Sequence, residues 1–416
     1  MFSRTLSIGS ADRHVTFSVE DLCRHTIVFG SSGSGKTTRA YNPILQDMLG
    51  RLGAGALIIA AKIEAVHEAA ELARRAQREY LVIEPGSSIG IDLLSGSPDV
   101  DASYFRDTFG RVAEDAKRWV EGAVTRMKNA LRMLKAAGQQ YYTFDHLTSY
   151  CFDAKFAATV RVLACDRLRV VSHESEEAWT IREAVAYEDT RYHEFTPETR
   201  RAVLFSVSEL LEPLRDYQLQ KTFASKKNLV HMDSVFSGKV IILHVPRTRF
   251  ERAAQSIYTI AKRRFFTALE NRRADPSLDQ DRPIVFGIDE YQLCISESDV
   301  QSLGVIRSAG CMVLATTQGV SSLYSTLPKF HVDAALQNFT QKIWFKTDDE
   351  DTLGVLDRAT KYTKNAIDTS QLFEMNRDQA FCHFTVGDTS VDTVLDMKPL
   401  FITPRQGAPA GAFSLA

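Results

Sequence analysis

The chain has 416 residues, enough for one large domain or two ordinary domains with sizeable cores. Its formal net charge of −2 requires neither nucleic acid nor an anionic membrane as a partner, so any basic surface must be local. Six scattered cysteines without a CxxC pair argue against a disulfide framework or zinc site, and no apolar run approaches the ~18 residues of a membrane span or forms a signal peptide.

The first predicted strand, 26–30, runs into a segment with the spacing of a phosphate-binding P-loop. Its glycines let successive backbone N–H groups point at phosphates, Lys36 would reach the β- and γ-phosphates, and the Thr37 hydroxyl would face Mg²⁺. A flexible Ser/Gly linker has a similar composition, but the preceding strand and the helix-permissive residues 38–49 favour the P-loop. The predicted nucleotide-binding residues are Gly30, Ser31, Ser32, Gly33, Ser34, Gly35, Lys36, Thr37 and Thr38.

Short apolar runs separated by helix-permissive stretches predict an α/β fold with a mostly parallel sheet. The predicted strands are 26–30, 56–60, 80–84, 240–245, 284–289, 311–317 and 341–346, followed by a hairpin of 379–386 and 391–396. Between about 100 and 235 the strand pattern stops, and helices are predicted over 111–137, 152–166, 176–187 and 198–217, the last with a start at Thr196-Pro197-Glu198. We therefore expect residues 1–100 and 236–400 to form the nucleotide-binding domain, 101–235 an inserted all-α domain, and 401–416 a flexible tail.

Basic residues are concentrated on a helix predicted to follow the strand at 240–245. They are Arg247, Arg249, Arg252, Lys262, Arg263, Arg264, Arg272 and Arg273. A positive stripe of this kind is suited to neutralising phosphates without reading sequence. A solvated face with ion pairs is the commoner role of a charged helix, so bulk charge neither supports nor excludes DNA binding.

The strand at 284–289 ends in two acids, Asp289 and Glu290, which is the pattern of a Walker B motif. The aspartate is predicted to hold the Mg²⁺ shell, and the glutamate to orient and deprotonate the attacking water. Asp-Glu after an apolar run is common by chance, and it is the pairing with the P-loop that gives it weight. The pair favours an ATPase over a kinase.

Two further polar residues are candidates for catalysis. Gln318 follows the strand at 311–317. The segment resembles RecA-like ATPases, in which the strand beside the acid pair ends in a polar residue that contacts the γ-phosphate, although a loop-capping role is the alternative. Arg307 lies on the helix after the acid pair, and in a ring it would reach the neighbouring subunit's site, where an arginine finger contributes ~10³–10⁵ in rate. A lone arginine is more often a salt-bridged surface residue.

These motifs together resemble the type IV coupling proteins, conjugation and type IV secretion ATPases of the FtsK and HerA superfamily. The residues that carry the resemblance are 25–37, Ile288-Asp-Glu-Tyr-Gln-Leu293, Ile306-Arg-Ser-Ala-Gly310, Ala315-Thr-Thr-Gln318, Gln337 to Ile343 and Asp348 to Thr352. The resemblance implies a RecA-like domain with an all-α insertion carrying a tryptophan, here Trp119, on its long helix. It implies a homo-hexameric, DNA-stimulated ATPase that uses ATP and Mg²⁺ and delivers relaxase-bound DNA or protein to a secretion channel.

The chain departs from that family in two places. Family members typically begin with transmembrane helices, and none is predicted here. Their second strand usually ends Asp-Pro-Lys-Gly-Glu, whereas this chain reads Ala60-Ala61-Lys62-Ile63-Glu64, which keeps the lysine and glutamate and loses the acid. The expected location is the cytoplasm, with recruitment to the inner membrane by a partner left open.

Other classes of nucleotide hydrolase fit the sequence less well. The segment Leu94-Ser95-Gly96-Ser97 has an ABC-like signature, but it lies far from the acid pair, and no guanine-reading Asn-Lys-x-Asp motif is present, which disfavours GTP. Two functional alternatives remain open. One is a soluble genome-packaging or DNA-processing motor of the same superfamily, and the other is a substrate-receptor platform whose nucleotide site controls assembly. DNA of any sequence, a relaxase or accessory protein bound through 101–235, and channel components are the predicted partners.

Overall fold

A computed structural model of the chain describes residues 5–91, 93–109, 116–224, 228–361 and 369–402. It divides into two compact units. The first comprises Met1–Glu84, Met232–Arg249 and Phe265–Ala416, and the second comprises Pro85–His231 and Phe250–Arg264. Two predictions fall partly outside the described residues, namely the start of the helix at 111–137 and most of the tail at 401–416.

The order of the elements alternates strands with helices at both ends of the chain. The strands are β1 (Thr5–Gly9), β2 (His14–Ser18), β3 (Thr26–Phe29), β4 (Gly55–Ile59), β5 (Tyr80–Ile83), β6 (Gly90–Ile91), β7 (Leu229–Val230), β8 (Val240–Leu243), β9 (Ile284–Asp289), β10 (Cys311–Thr317), β11 (Gln341–Trp344), β12 (Gln379–Val386) and β13 (Thr389–Asp396). The helices are α1 (Val19–Leu22), α2 (Asn42–Gly50), α3 (Ile63–Arg75), α4 (Pro98–Thr108), α5 (Lys117–Ala137), α6 (Phe144–Phe152), α7 (Ala154–Val170), α8 (Glu176–Ala186), α9 (Tyr192–Glu194), α10 (Pro197–Leu211), α11 (Tyr217–Phe223), α12 (Arg247–Arg272), α13 (Asp299–Ser308), α14 (Val320–Tyr324), α15 (Lys329–Gln337), α16 (Glu350–Thr360) and α17 (Thr369–Glu374).

The first unit is built on a nine-stranded sheet in the order β13-β12-β11-β3-β10-β9-β4-β8-β5. The strands from β11 to β5 are parallel, and β12 and β13 add an antiparallel hairpin at one edge. Strands β3, β4 and β8 are buried along their whole length, as expected for a parallel sheet covered on both faces. Every predicted strand is present within two residues of its predicted bounds, which confirms the predicted α/β fold.

Two small β pairings were not predicted. The N-terminal hairpin β1–β2 buries Leu6, Ile8 and Phe17, and this alternation was a usable signal in the sequence. Strand β7 lies inside the region predicted to contain no strands, so that prediction is wrong at Leu229–Val230. A two-residue strand paired only with β6 is too short for its side-chain pattern to reveal.

The second unit is mainly helical in its described residues, and five of its helices, α6, α7, α8, α10 and α11, begin at a residue whose side chain caps the helix. Thr196 accepts a hydrogen bond from the Thr199 backbone N–H with Pro197 in the first turn, as predicted. Trp119 of α5 packs against a cluster of Tyr187, Tyr192 and Val203.

Arg126 lies in the interior of the same helical unit. Its guanidinium pairs with the Glu188 carboxylate and lies over the Tyr192 ring, 4.4 Å from the centroid. Ion pairing and cation–π contact compensate the burial of this charge.

Buried His25 connects three elements of the first unit. Its Nε2 donates to the Leu303 carbonyl at 2.8 Å, and its Nδ1 accepts from the Val313 backbone N–H at 3.3 Å. The ring is therefore neutral with the proton on Nε2. Burial lowers the pKa of His25 to about 4, and the Arg307 charge adds to this effect.

The protein should therefore lose stability on acidification. Because the unfolded His25 binds a proton near its ordinary value and the folded one only near 4, its contribution is complete above about pH 6.5 and falls between pH 6.5 and 4. From 1.36 kcal/mol per unit, we expect a loss of about 2–3 kcal/mol in the free energy of unfolding at pH 4.5. Urea unfolding of the wild-type protein and of His25→Gln at pH 7.5 and at pH 4.5 measures this loss in the free energy of unfolding. Equal pH dependence in the two proteins would show that His25 is not the responsible group.

No helix among the described residues is long and apolar enough to cross a lipid bilayer. All six cysteines are free thiols, and all but Cys165 are buried.

Candidate functional site

The loop after β3 folds into a cradle of backbone N–H groups. Gly30 (φ 154°) and Gly35 (φ 102°) adopt backbone conformations that favour glycine, and a Cβ on Gly30 would lie 2.7 Å from the Ser34 hydroxyl. The N–H groups of Ser32, Gly33 and Gly35 make no hydrogen bond to any described residue. Unpaired amides at the start of a helix are suited to an anion, so the loop fits a phosphate group.

Helical structure begins directly after the loop. Residues Lys36–Tyr41 form a wide turn in which the Asn42 backbone N–H donates to the Thr37 carbonyl, five residues earlier, and α2 continues from there. The loop is also fixed from the side by the segment that follows β11. The Ser31 N–H donates to the Lys346 carbonyl at 3.1 Å, and the Ser31 hydroxyl donates to Asp348 at 3.2 Å.

Lys36 points back into the loop instead of into solvent. Its ammonium donates to the carbonyls of Gly30, at 2.5 Å, and Ser31, at 3.0 Å, and the residue is 8% exposed. Burial lowers the pKa of Lys36, while the carboxylates of Asp289 and Glu290 oppose that shift. A partly desolvated cation beside the amide cradle is the arrangement that phosphate binding requires.

Asp289, at the carboxyl end of β9, lies opposite the helix that follows the loop. One carboxylate oxygen accepts from the Thr37 hydroxyl at 3.2 Å, and the other accepts from the Thr316 hydroxyl of β10. Strand register places Thr316 beside Asp289 and Thr317 beside Phe29, so the last residues of three parallel strands meet here. Hydroxyl and carboxylate oxygens are ligands suited to Mg²⁺, and Thr37 and Asp289 fit that ion.

Glu290 has a left-handed backbone conformation, with φ 91° and ψ 67°. A non-glycine residue in this region is strained, and such strain persists where surrounding contacts enforce it, often at functional sites. The carboxylate accepts from the Gln318 amide at 3.3 and 3.4 Å and from the Gln292 amide, and it lies 3.6 Å from the Lys62 ammonium. The structure thus brings Gln318 to the acid pair.

Arg307 does not lie with the residues described above. It is exposed, lies in the last turn of α13, just before β10 begins, and no described carboxylate pairs with it. Its charge acts on Cys23 and His25, which precede β3. Parallel β3 and β10 therefore place Arg307 at the amino edge of the sheet, opposite the edge that holds Lys36 and Asp289. It does not belong to the P-loop site of its own chain.

The sequence analysis gave no role to three side chains at this site: Gln292, Thr316 and Lys62. Gln292 and Thr316 lie inside motifs that the sequence analysis had quoted, two residues from Glu290 and from Gln318, and this proximity was the available signal. Tyr41 was also not singled out. Its buried hydroxyl occupies the space that a side chain at position 287 would need, because a Cβ on Gly287 would lie 2.8 Å from it.

The predicted basic stripe is not a continuous exposed face. Lys262 and Arg272 are buried, and Arg263 pairs with Asp107 at 2.9 Å. Arg247, Arg249, Arg252 and Arg273 are exposed. Because some of these cations are buried or paired, fewer of them face solvent than the sequence pattern predicted. Less positive charge is therefore exposed to a polyanion.

Neither a protein-family model nor a curated protein matches the chain. Solved structures do match. The unbound bacterial conjugative coupling protein TrwBdeltaN70 is 13% identical, with 98% of this chain and 91% of that chain covered and a TM-score of 0.66. The plasmid coupling protein TrwB in complex with ADP and Mg²⁺ is 14% identical, with coverages of 94% and 89% and a TM-score of 0.67. VirB4 of Thermoanaerobacter pseudethanolicus is 14% identical, with coverages of 95% and 96% and a TM-score of 0.56.

At this level of identity the likeness shows the fold. The chain has the P-loop nucleotide-hydrolase fold that the motifs predicted, and the predicted resemblance to type IV coupling proteins is confirmed at the level of fold along nearly the whole length.

Proposed function

We propose that the chain hydrolyses ATP with Mg²⁺ and couples hydrolysis to moving DNA, or a DNA–protein substrate, into a type IV secretion or conjugation channel. The observation that carries the hydrolase part is the meeting of the unpaired amide cradle, Lys36, Thr37, Asp289 and Glu290 at one edge of the sheet. The transport part rests on the fold shared with TrwB and VirB4.

In this proposal the loop amides and Lys36 hold the phosphates. Thr37 and Asp289 would hold Mg²⁺, which when bound neutralises charge on the β- and γ-phosphates. The Glu290 carboxylate orients the attacking water and accepts its proton, and the Gln318 amide, hydrogen bonded to that carboxylate, is placed to respond to the γ-phosphate.

The solved TrwB structures support a nucleoside triphosphate but do not distinguish ATP from GTP. TrwB structures hold ADP with Mg²⁺ and the ATP analogue ADPNP. Another TrwB structure holds the GTP analogue GDPNP, so the preference for ATP rests on the absence of an Asn-Lys-x-Asp motif from this sequence. Initial rates with ATP and with GTP under equal conditions test that preference.

Transport substrates and partners follow from the same proposal. We infer that the second unit, which contains most of the predicted 101–235 insertion, selects a relaxase or accessory protein, and that the chain works in the cytoplasm beside the channel. Recovery of channel components with the tagged chain would favour this role over a genome-packaging or DNA-processing motor. A nucleotide-controlled receptor platform would bind cargo without DNA-stimulated turnover.

The position of Arg307 is our reason for proposing a ring. Because it lies at the sheet edge opposite its own P-loop, it can reach a nucleotide only in a neighbouring subunit, as in a homo-hexamer with shared sites. We expect Arg307→Ala to leave ATP affinity nearly unchanged and to lower turnover by about 10³-fold.

Mixing Arg307→Ala with Glu290→Gln subunits should restore activity. An interface that combines the intact Glu290 of the first variant with the intact Arg307 of the second is wild type, and roughly a quarter of interfaces in a random ring have this composition. Phosphate release from mixed and unmixed samples measures it. Mixtures as inactive as either variant alone, in rings shown by mass to be mixed, would contradict the shared site.

A further inference from the structure

Lys62 is the cation that touches the proposed catalytic base. It lies just after β4, the neighbour of β9 in the sheet, so both residues emerge at the same edge. Its ammonium is 3.6 Å from Glu290 Oε1, whereas the other side chains bonded to that carboxylate, Gln292 and Gln318, are neutral amides. The Lys62 side chain is 65% exposed and that of Glu290 is 15% exposed.

The same edge of the sheet is rich in carboxylates. Asp289 and Glu290 are adjacent, and burial, with a smaller contribution from Asp289, raises the pKa of Glu68 on α3. Lys62 also acts on Lys36, lowering its pKa, so its charge is felt at the P-loop. A triphosphate brings further negative charge to this edge, and its γ-phosphate would lie nearest Glu290. Repulsion between the two anions is the obstacle that the site must overcome.

We propose that Lys62 is a positioning residue whose ammonium offsets the charge of Glu290, so that this carboxylate can lie close to the γ-phosphate of bound ATP. This inference rests on the proposed function. Beyond the proposed function, Lys62 would help the site to distinguish the triphosphate from the diphosphate, because only the triphosphate places an anion beside Glu290.

A purely structural role for the Lys62–Glu290 pair makes a different prediction. An ion pair with one partner so exposed contributes little to folding, so removing Lys62 should leave thermal unfolding nearly unchanged. If Lys62 instead offsets the charge of Glu290, its removal should weaken the binding of ATP more than the binding of ADP. This difference should disappear when Glu290 is replaced by a neutral residue.

Binding of ADPNP and of ADP, each with Mg²⁺, to the 416-residue chain by calorimetry tests the inference without requiring turnover. We expect Lys62→Ala to weaken ADPNP binding by about fivefold or more and ADP binding by less than about twofold. Lys62→Arg should retain wild-type preference. In a Glu290→Gln background, Lys62→Ala should change ADPNP affinity by less than about twofold. Lys239→Ala is a matched control. Lys239 directly precedes β8, at the edge of the sheet opposite Lys62, and its ammonium pairs with Glu79 at 2.7 Å.

Three results would overturn the inference. The first is an equal loss of ADPNP and ADP affinity in Lys62→Ala, and the second is a loss of the same size in the wild-type and Glu290→Gln backgrounds. The third is unchanged affinity for both nucleotides, which would leave the proposed function intact. A wild-type protein that binds neither nucleotide would instead refute the proposed function itself.

Discussion

Glu290→Gln is expected to bind ATP with Mg²⁺ and to hydrolyse it about 10²–10⁴-fold more slowly than wild type. Glutamine keeps the size of the side chain and can still hydrogen bond to Gln318, but it cannot accept the proton of the attacking water. Thr37 and Asp289 remain in place, so nucleotide binding should persist. Single-turnover phosphate release, with nucleotide binding measured in parallel, separates the two steps.

The control for this variant is Glu79→Gln, which removes an exposed carboxylate from the opposite edge of the sheet and should turn over normally. If Glu290→Gln lost ATP binding and kept its rate per bound nucleotide, the roles assigned to Asp289 and Glu290 would be exchanged.

Lys36→Ala should reduce ATP hydrolysis by about 10³-fold and weaken nucleotide binding. The change removes the buried cation that the loop presents to the phosphates, and one donor to developing charge contributes about 10²–10³ in rate by itself. The variant also leaves the carbonyls of Gly30 and Ser31 without their present donor, so thermal unfolding must be measured beside activity. A folded Lys36→Ala protein with normal turnover would refute the assignment of this loop, and Lys239→Ala again provides the matched control.

The sequence was most informative where function is encoded in a short, contiguous segment. The spacing from Gly30 to Thr37 and the acid pair after an apolar strand could be recognised directly, and the structure places these segments together. Gln318 was proposed because the strand beside the acid pair ends in a polar sensor in RecA-like ATPases, and the structure places its amide on Glu290. The order β10-β9-β4 then decides which residues meet Glu290, and no local pattern in the sequence specifies that order.

Two residues show why the remainder could not be predicted. Lys62 was quoted only as part of the segment after the second predicted strand, and it is the placement of β4 beside β9 that brings it to Glu290. His25 appears in the sequence as a polar residue before a strand, yet its ring is buried between Leu303 and Val313, which are nearly 300 residues away along the chain. Such contacts depend on the tertiary fold.

If this site hydrolyses ATP to drive movement of DNA, DNA-dependent turnover is the most direct test. Steady-state phosphate release by the wild-type chain should require Mg²⁺ and rise when single- or double-stranded DNA is added. Glu290→Gln should be at least about 10²-fold slower with or without DNA. Assembly state should be measured by mass at the same protein concentration, since the shared site requires a ring. A monomeric chain that hydrolyses ATP at a full rate independent of DNA would contradict the proposed motor function.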